Sequence, residues 1–106
     1  MAINQKLLVV EDNTFMRALI SDLLVSLGFE VEAVESASAA VKAAARFDPD
    51  AAILDVELGA GPNGFDLARI LRESAPEIGL VFLTNIPEPR PLGSIIVQFP
   101  RMPPIW

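Results

Sequence analysis

The sequence predicts an α/β fold in which a parallel sheet is covered by helices on both faces. Two observations carry this reading. Leu7-Leu8-Val9-Val10, Ala51-Ala52-Ile53-Leu54 and Leu80-Val81-Phe82-Leu83 are short continuous apolar runs, the pattern of strands buried on both sides. Between them lie stretches whose apolar residues recur every three or four positions. These are the helical crossovers that parallel neighbours require. Through Thr84 the order reads βαβαβαβ, with right-handed connections.

Each element has its own signals. Asp12 or Asn13 can cap a first helix. In it Phe15, Met16, Leu19, Ile20, Leu23, Leu24 and Leu27 recur at helical spacing, and Gly28 supplies a left-handed end. Phe29 to Val34 alternates apolar and acidic residues, as a more exposed second strand does. Ser36 or Ser38 can cap an alanine-rich helix reaching about Arg46, with Ala37, Ala40, Val41, Ala44 and Ala45 on one side. Asp48-Pro49-Asp50 then breaks the chain. The third strand stops abruptly at Asp55. After a loop, Gly59 to Gly64, a third helix carries Leu67, Ile70, Leu71 and Ser74 as its stripe and stops before Pro76. Beyond Thr84 the alternation fails. Residues 86–106 hold six of the nine prolines, and no helix runs through Pro87-Glu88-Pro89-Arg90-Pro91. In that tail only Ile95–Phe99 has strand composition, and Pro100 ends it. Residues 1–85 therefore form the domain core and 86–106 a proline-rich tail of a different character.

Composition narrows the chemistry. At 106 residues, 52% hydrophobic and 21% charged, the chain makes one soluble globular domain. A net charge of −6 argues against a surface that grips a phosphate backbone. The chain has no cysteine and no histidine, which excludes disulfides, thiolate chemistry, the usual zinc ligands and any Ser/His triad. No apolar run has the length of a signal peptide or a membrane span, so the expected location is cytoplasmic.

In an open parallel sheet, ligands bind outside the carboxyl ends of the strands. There the sequence places Glu11 and Asp12 after the first strand, Asp55 after the third and Thr84 after the fourth. Any one acid in such a position is an ordinary cap or turn residue. Three at one sheet edge repel one another unless something neutralises them. With oxygen ligands alone, that something is a hard divalent cation, magnesium or manganese. A carboxylate beside such a cation is a suitable nucleophile toward a phosphoryl group, as an acyl phosphate can form on it. Asp55 fits that role, and Thr84 is placed to donate its hydroxyl to a phosphoryl oxygen.

The segments Leu7-Leu8-Val9-Val10-Glu11-Asp12-Asn13, Ala52-Ile53-Leu54-Asp55-Val56-Glu57-Leu58, Gly64-Phe65-Asp66-Leu67 and Val81-Phe82-Leu83-Thr84 resemble the receiver domain of two-component response regulators. The resemblance covers residues 6 to about 85. It implies a flavodoxin-like, doubly wound sheet in the order 2-1-3-4, with a fifth strand where the tail supplies one. It implies that Glu11, Asp12, Asp55 and the main-chain carbonyl of Glu57 hold Mg2+. It further implies that Asp55 accepts a phosphoryl group from a histidine kinase or phosphotransfer protein, with Thr84 as the switch hydroxyl. In this role the chain is a phosphoacceptor and not an enzyme.

The departures from that pattern also carry expectations. The loop between Asp55 and Gly64 is one residue longer than usual, and Asn85 stands where the family has a small residue. The lysine that the family places after its fifth strand is missing, since the only lysines are Lys6 and Lys42. The last helices of the family are unrecognisable. An alternative reading is therefore a degenerate receiver, a protein-interaction or dimerisation module that works without phosphorylation. A third, a small phosphohydrolase with Asp55-Val56-Glu57 as its paired acids, conflicts with an acid pair at the end of the first strand. Loss of the last helix uncovers one face of the sheet and leaves the fourth strand as an open edge, so a homodimer is expected.

Overall fold

The computed structural model describes residues 5–56, 58, 63–84 and 94–98. Its elements are β1 (Lys6–Val10), α1 (Thr14–Ser26), β2 (Glu30–Val34), α2 (Ala37–Phe47), β3 (Ala51–Asp55), α3 (Gly64–Ser74), β4 (Gly79–Thr84) and β5 (Ser94–Gln98). One sheet contains all five strands in the order β2-β1-β3-β4-β5. The first four run parallel, as the predicted α/β class requires.

The caps fall where short polar side chains stand before the helices. The Asn13 side chain accepts from the Met16 N–H at 2.9 Å, and Ser36 accepts from Ala39 N–H at 3.1 Å. Asn63 and Asp66 form a reciprocal capping box at the start of α3, a device the loop composition did not announce. Gly28 takes φ +100° just beyond α1, as its position after Leu27 predicts. Asp48 ends α2 in the left-handed region at φ 54°.

The core lies on one side of the sheet. Leu8, Val10, Ala52, Leu54, Leu80 and Phe82 meet Ala37, Ala40 and Ala43 of α2 and Leu67, Ala68 and Leu71 of α3. Phe82 is fully buried, and its ring packs on Phe65 with centroids 4.8 Å apart. Beside this contact Phe65, Ala68, Arg69, Arg72, Leu80 and Phe82 line a groove of about 280 Å³. The buried stripe of α2 differs from the expected one. Ala43 is buried and Ala44 packs against the core, while Val41 and Ala45 are exposed. Alanine fills most of this helix, so sequence alone did not fix its rotation about its axis. Ile70 of α3 is likewise exposed, because Leu67, Ala68 and Leu71 already form the contact.

Alternation along the strands sends Leu7, Val9, Ile53, Val81 and Leu83 to the opposite face, where α1 lies against β1 and β2. One expectation holds here and one needs correction. No residue of α1 is buried, as expected where loss of the last helix leaves that face without cover. But β4 is not an open edge, because β5 pairs with it antiparallel from Leu80↔Gln98 to Thr84↔Ser94. The strand composition at Ile95–Phe99 supplies this cover, one residue earlier than expected. Antiparallel pairing needs no crossover helix, so the proline-rich link between β4 and β5 does not prevent it. The rest of the tail, with Pro87 to Pro91, Phe99, Pro100 and Trp106, lies outside the described residues.

Truncating Phe82 to alanine removes the largest fully buried side chain among the described residues and should cost about 3–5 kcal/mol in urea denaturation. Val25→Ala, on the exposed side of α1, should stay within about 0.5 kcal/mol of the parent.

Candidate functional site

The parallel register builds the site. Val10 stands opposite both Leu54 of β3 and Val34 of β2. One step further along, Glu11 and Asp55 become neighbours at the carboxyl edge of the two central strands. The Glu11 N–H continues the ladder to Val34 O at 3.0 Å, which keeps the chain straight for that step. Carboxylate oxygens of Glu11, Asp12 and Asp55 all lie within 4.8 Å of one another. Glu11 is buried, Asp55 half-buried and Asp12 exposed. The three acids that the sequence places at this edge do converge. Thr84 ends β4 one position beyond Leu83, itself the register partner of Asp55, so its backbone borders the site. Its hydroxyl, the carbonyl of Glu57, the Gly59–Gly61 loop and Asn85 lie outside the described residues.

Arg17, not singled out in sequence, and Gly64, which opens one of the segments quoted above, also shape the edge. Arg17, in the first turn of α1, reaches back with Nη1 to the main-chain carbonyls of Glu11, at 2.9 Å, and Asp12, at 3.5 Å. That clamps the acidic turn through its backbone. The signal was its place one turn into the helix that follows the acid pair. Gly64 opens α3 with its N–H donated to Val56 O at 2.8 Å. A Cβ there would stand 2.3 Å from the main-chain oxygen of Asp55 and 2.9 Å from Cα of Val56. The helix start is pressed against the very residue that carries the central carboxylate, and only glycine permits it. The sequence marks Gly64 as the start of the Gly64-Phe65-Asp66-Leu67 segment, but not its close approach to Asp55.

Electrostatics mark the same spot. Burial is the largest cause that raises the Glu11 pKa, to about 7 from 4.5. The Asn13 N–H, donated to Oε2 at 3.1 Å, pulls it down, while the charge and hydrogen bond of Asp55 and the charge of Asp12 push it up further. Like charges held this close around a buried carboxyl, with oxygen ligands alone, are a donor set for a hard divalent cation. Neither lysine of the chain lies at this edge. Lys6 sits at the opposite end of β1, with Nζ donating to Phe47 O at 3.2 Å, and Lys42 lies on α2.

The likeness to known proteins agrees with this geometry. Residues 7–91 match the family model of the response regulator receiver domain, and the chain belongs to that family. It is 32% identical over 80 residues to the DNA-binding response regulator MtrA of Mycolicibacterium smegmatis, spanning 76% of this chain and 34% of that protein. The chain thus spans about a third of the length of that curated relative. Among solved structures it is similar to a CheY-like receiver domain from Methylobacillus flagellatus, with TM-score 0.74, 27% identity, and coverage of 79% of this chain and 72% of that one. The N-terminal domain of a response regulator/sensory box/GGDEF 3-domain protein from Carboxydothermus hydrogenoformans gives TM-score 0.74 at 35% identity, covering 80% and 68% of the respective chains.

Two outcomes follow. Gly64→Ala should destabilise the fold by about 3 kcal/mol, since the new methyl meets backbone atoms and no flexible side chain can yield. Chemical denaturation measures it, and a neutral result would contradict the close approach. Because the folded state raises the Glu11 pKa, it binds that proton more tightly than the unfolded chain does. The stability from this group is full below about 4.5 and is lost as pH rises to about 7. Metal-free melting curves across this interval should fall for the parent and flatten for Glu11→Gln.

Proposed function

We propose that this chain is a phosphoacceptor receiver domain, with Asp55 receiving the phosphoryl group and Mg2+ held by Glu11, Asp12 and Asp55. The observation that carries the reading is the convergence of these carboxylates at the carboxyl edge of β1 and β3 in a chain of the receiver family. The main-chain carbonyl of Glu57 is the further ligand we assign on the family pattern, and Thr84 is the switch hydroxyl. The donor is a histidine kinase or phosphotransfer protein. An Asp55 carboxylate oxygen forms the bond to phosphorus as the bond to the donor's imidazole nitrogen breaks, and the imidazole leaves with the electron pair. The cation would offset charge on the transferring oxygens. The chain's own part is to hold Asp55 half-buried beside Glu11, with the acidic turn fixed by Arg17. It is a stoichiometric acceptor, not an enzyme of turnover. We place it in the cytoplasm, beside such kinases, with no membrane or nucleic-acid contact of its own. No helix among the described residues is long and apolar enough to cross a membrane, and the net charge of −6 repels nucleic acid. A second copy of the chain is its other partner.

One observation favours a second reading, a degenerate receiver that acts as an interaction module without phosphorylation. Neither lysine of the chain is at the carboxyl edge of the sheet. Without that contact to the phosphoryl group, transfer to Asp55 should be slowed on the order of a hundredfold or more. Intact-mass spectrometry after incubation with Mg2+ and acetyl phosphate separates the two readings. Slow gain of one phosphoryl group, lost in Asp55→Asn and without Mg2+, supports the acceptor. An unmodified chain after prolonged incubation leaves the interaction module. Labelling as fast as that of a lysine-bearing receiver would remove the argument from the missing lysine.

A further inference from the structure

We propose that the exposed apolar stripe of α1 is the contact surface of a twofold homodimer, in which the helix packs against its own copy. This rests on the reading that the chain self-associates, but not on any chemistry at Asp55.

The two faces of the sheet are covered unequally. On one, α2 and α3 together close the core over β1, β3 and β4. On the other, α1 lies over β1 and β2 alone, and Ile53, Val81 and Leu83 beside it are only partly buried. The helix itself turns Arg17, Ile20, Ser21 and Leu24 toward the sheet, each half-buried. Phe15, Met16, Leu19, Leu23 and Leu27 are exposed, between 41% and 73% of their surface. At about 100° per residue these five fall within about 120° of one another, a single continuous stripe. Large side chains of this kind carry about 150–250 Å² each when fully exposed, so the stripe presents on the order of 500 Å². That is as large as the greatest apolar patch on an ordinary monomer. A stable interface takes about 800 Å² per partner, so the stripe supplies the larger part of one side.

The occupant follows from charge and geometry. The stripe contains no charged residue, and α1 holds one cation, Arg17, and one anion, Asp22. A chain of net charge −6 therefore keeps this face neutral, which lets two copies meet here without repulsion and selects no partner of opposite sign. Apolar residues spaced three and four apart at Met16, Leu19, Leu23 and Leu27 are those with which two helices interdigitate. A twofold axis passing near Leu19 and Leu23 makes the same patch serve both copies, closing the assembly at two.

The absence of cysteine permits a direct test on the full chain. Light scattering at tens of micromolar should give a dimer for the parent and a monomer for Leu19→Glu/Leu23→Glu. Circular dichroism should show the variant folded, both positions being more than half exposed. In single-cysteine chains, Leu23→Cys should oxidise to a disulfide-linked dimer and Val25→Cys, on the other flank of α1, should not. A monomeric parent overturns self-association altogether. A dimer that survives the double substitution, or that cross-links through Val25→Cys in place of Leu23→Cys, shows that another surface is used and overturns the assignment to α1. Labelling of Asp55 by acetyl phosphate is independent of each of these outcomes.

Discussion

The parallel pairing of β1 with β3 is the constraint on which the rest of this structure depends. It sets Val10 level with Leu54, so the chain delivers Glu11 and Asp55 to one point from positions far apart in sequence. Every other feature of the edge adjusts to that meeting. The β2 ladder holds Glu11 in line, Arg17 ties the turn that carries Asp12, and Gly64 lets α3 begin hard against Asp55. A slip of one residue would turn Leu8, Val10, Ala52 and Leu54 away from α2 and α3. The core thus enforces the register, and the register enforces the site. Packing and chemistry are coupled through two strands of five residues each.

The same pairing explains why the two faces differ. The alternation of β1, β3 and β4 gives the α2–α3 side large residues such as Leu54, Leu80 and Phe82, sealed by small alanines on α2 and by Leu67 and Leu71 on α3. On the opposite side Val9 is fully buried, yet α1 reaches only β1 and β2. The register places Ile95 opposite Leu83 and Val97 opposite Val81, so β5 extends the sheet sideways without thickening it. A strand added at the edge satisfies backbone groups of β4. It cannot do what a helix does, which is to remove a face from water. The exposed stripe of α1 is the consequence.

Most of this was legible in the sequence, for identifiable reasons. Continuous apolar runs ending in acid located β1, β3 and β4, and Gly28, Asn13 and Ser36 marked helix ends because each meets a local backbone need. The acidic cluster was legible because strand ends in a parallel sheet share one edge. What escaped depends on contacts between distant segments. The rotation of α2 could not be read from a helix made mostly of alanine. Gly64 stands out in sequence as the start of a matching segment, but the reason for it shows only in the Asp55 carbonyl, 2.3 Å from where its Cβ would be. The exposure of α1 was legible from the unrecognisable last helices rather than from its own periodicity, which reports an apolar face and not whether anything covers it. For β5, composition gave the strand, but neither its antiparallel direction nor its partner.

Glu11 shows what the arrangement costs in the folded state. A carboxyl driven to a pKa of about 7 by burial and by two acidic neighbours is held in a place that disfavours its own charge. The fold tolerates this because the alternative, a displaced Glu11, would break the ladder to Val34 and the Asn13 contact that starts α1. The strain is therefore local, electrostatic and removable by anything positive that enters between the three acids. A proton relieves it at Glu11 alone and leaves Asp55 with a hydrogen-bonded neighbour. A divalent cation would relieve it at all three, as the acceptor role proposed for Asp55 requires. Proton and cation compete for one site, so cation binding should weaken as pH falls below about 7. The residue that destabilises this edge is thus the one whose charge would most favour a cation there.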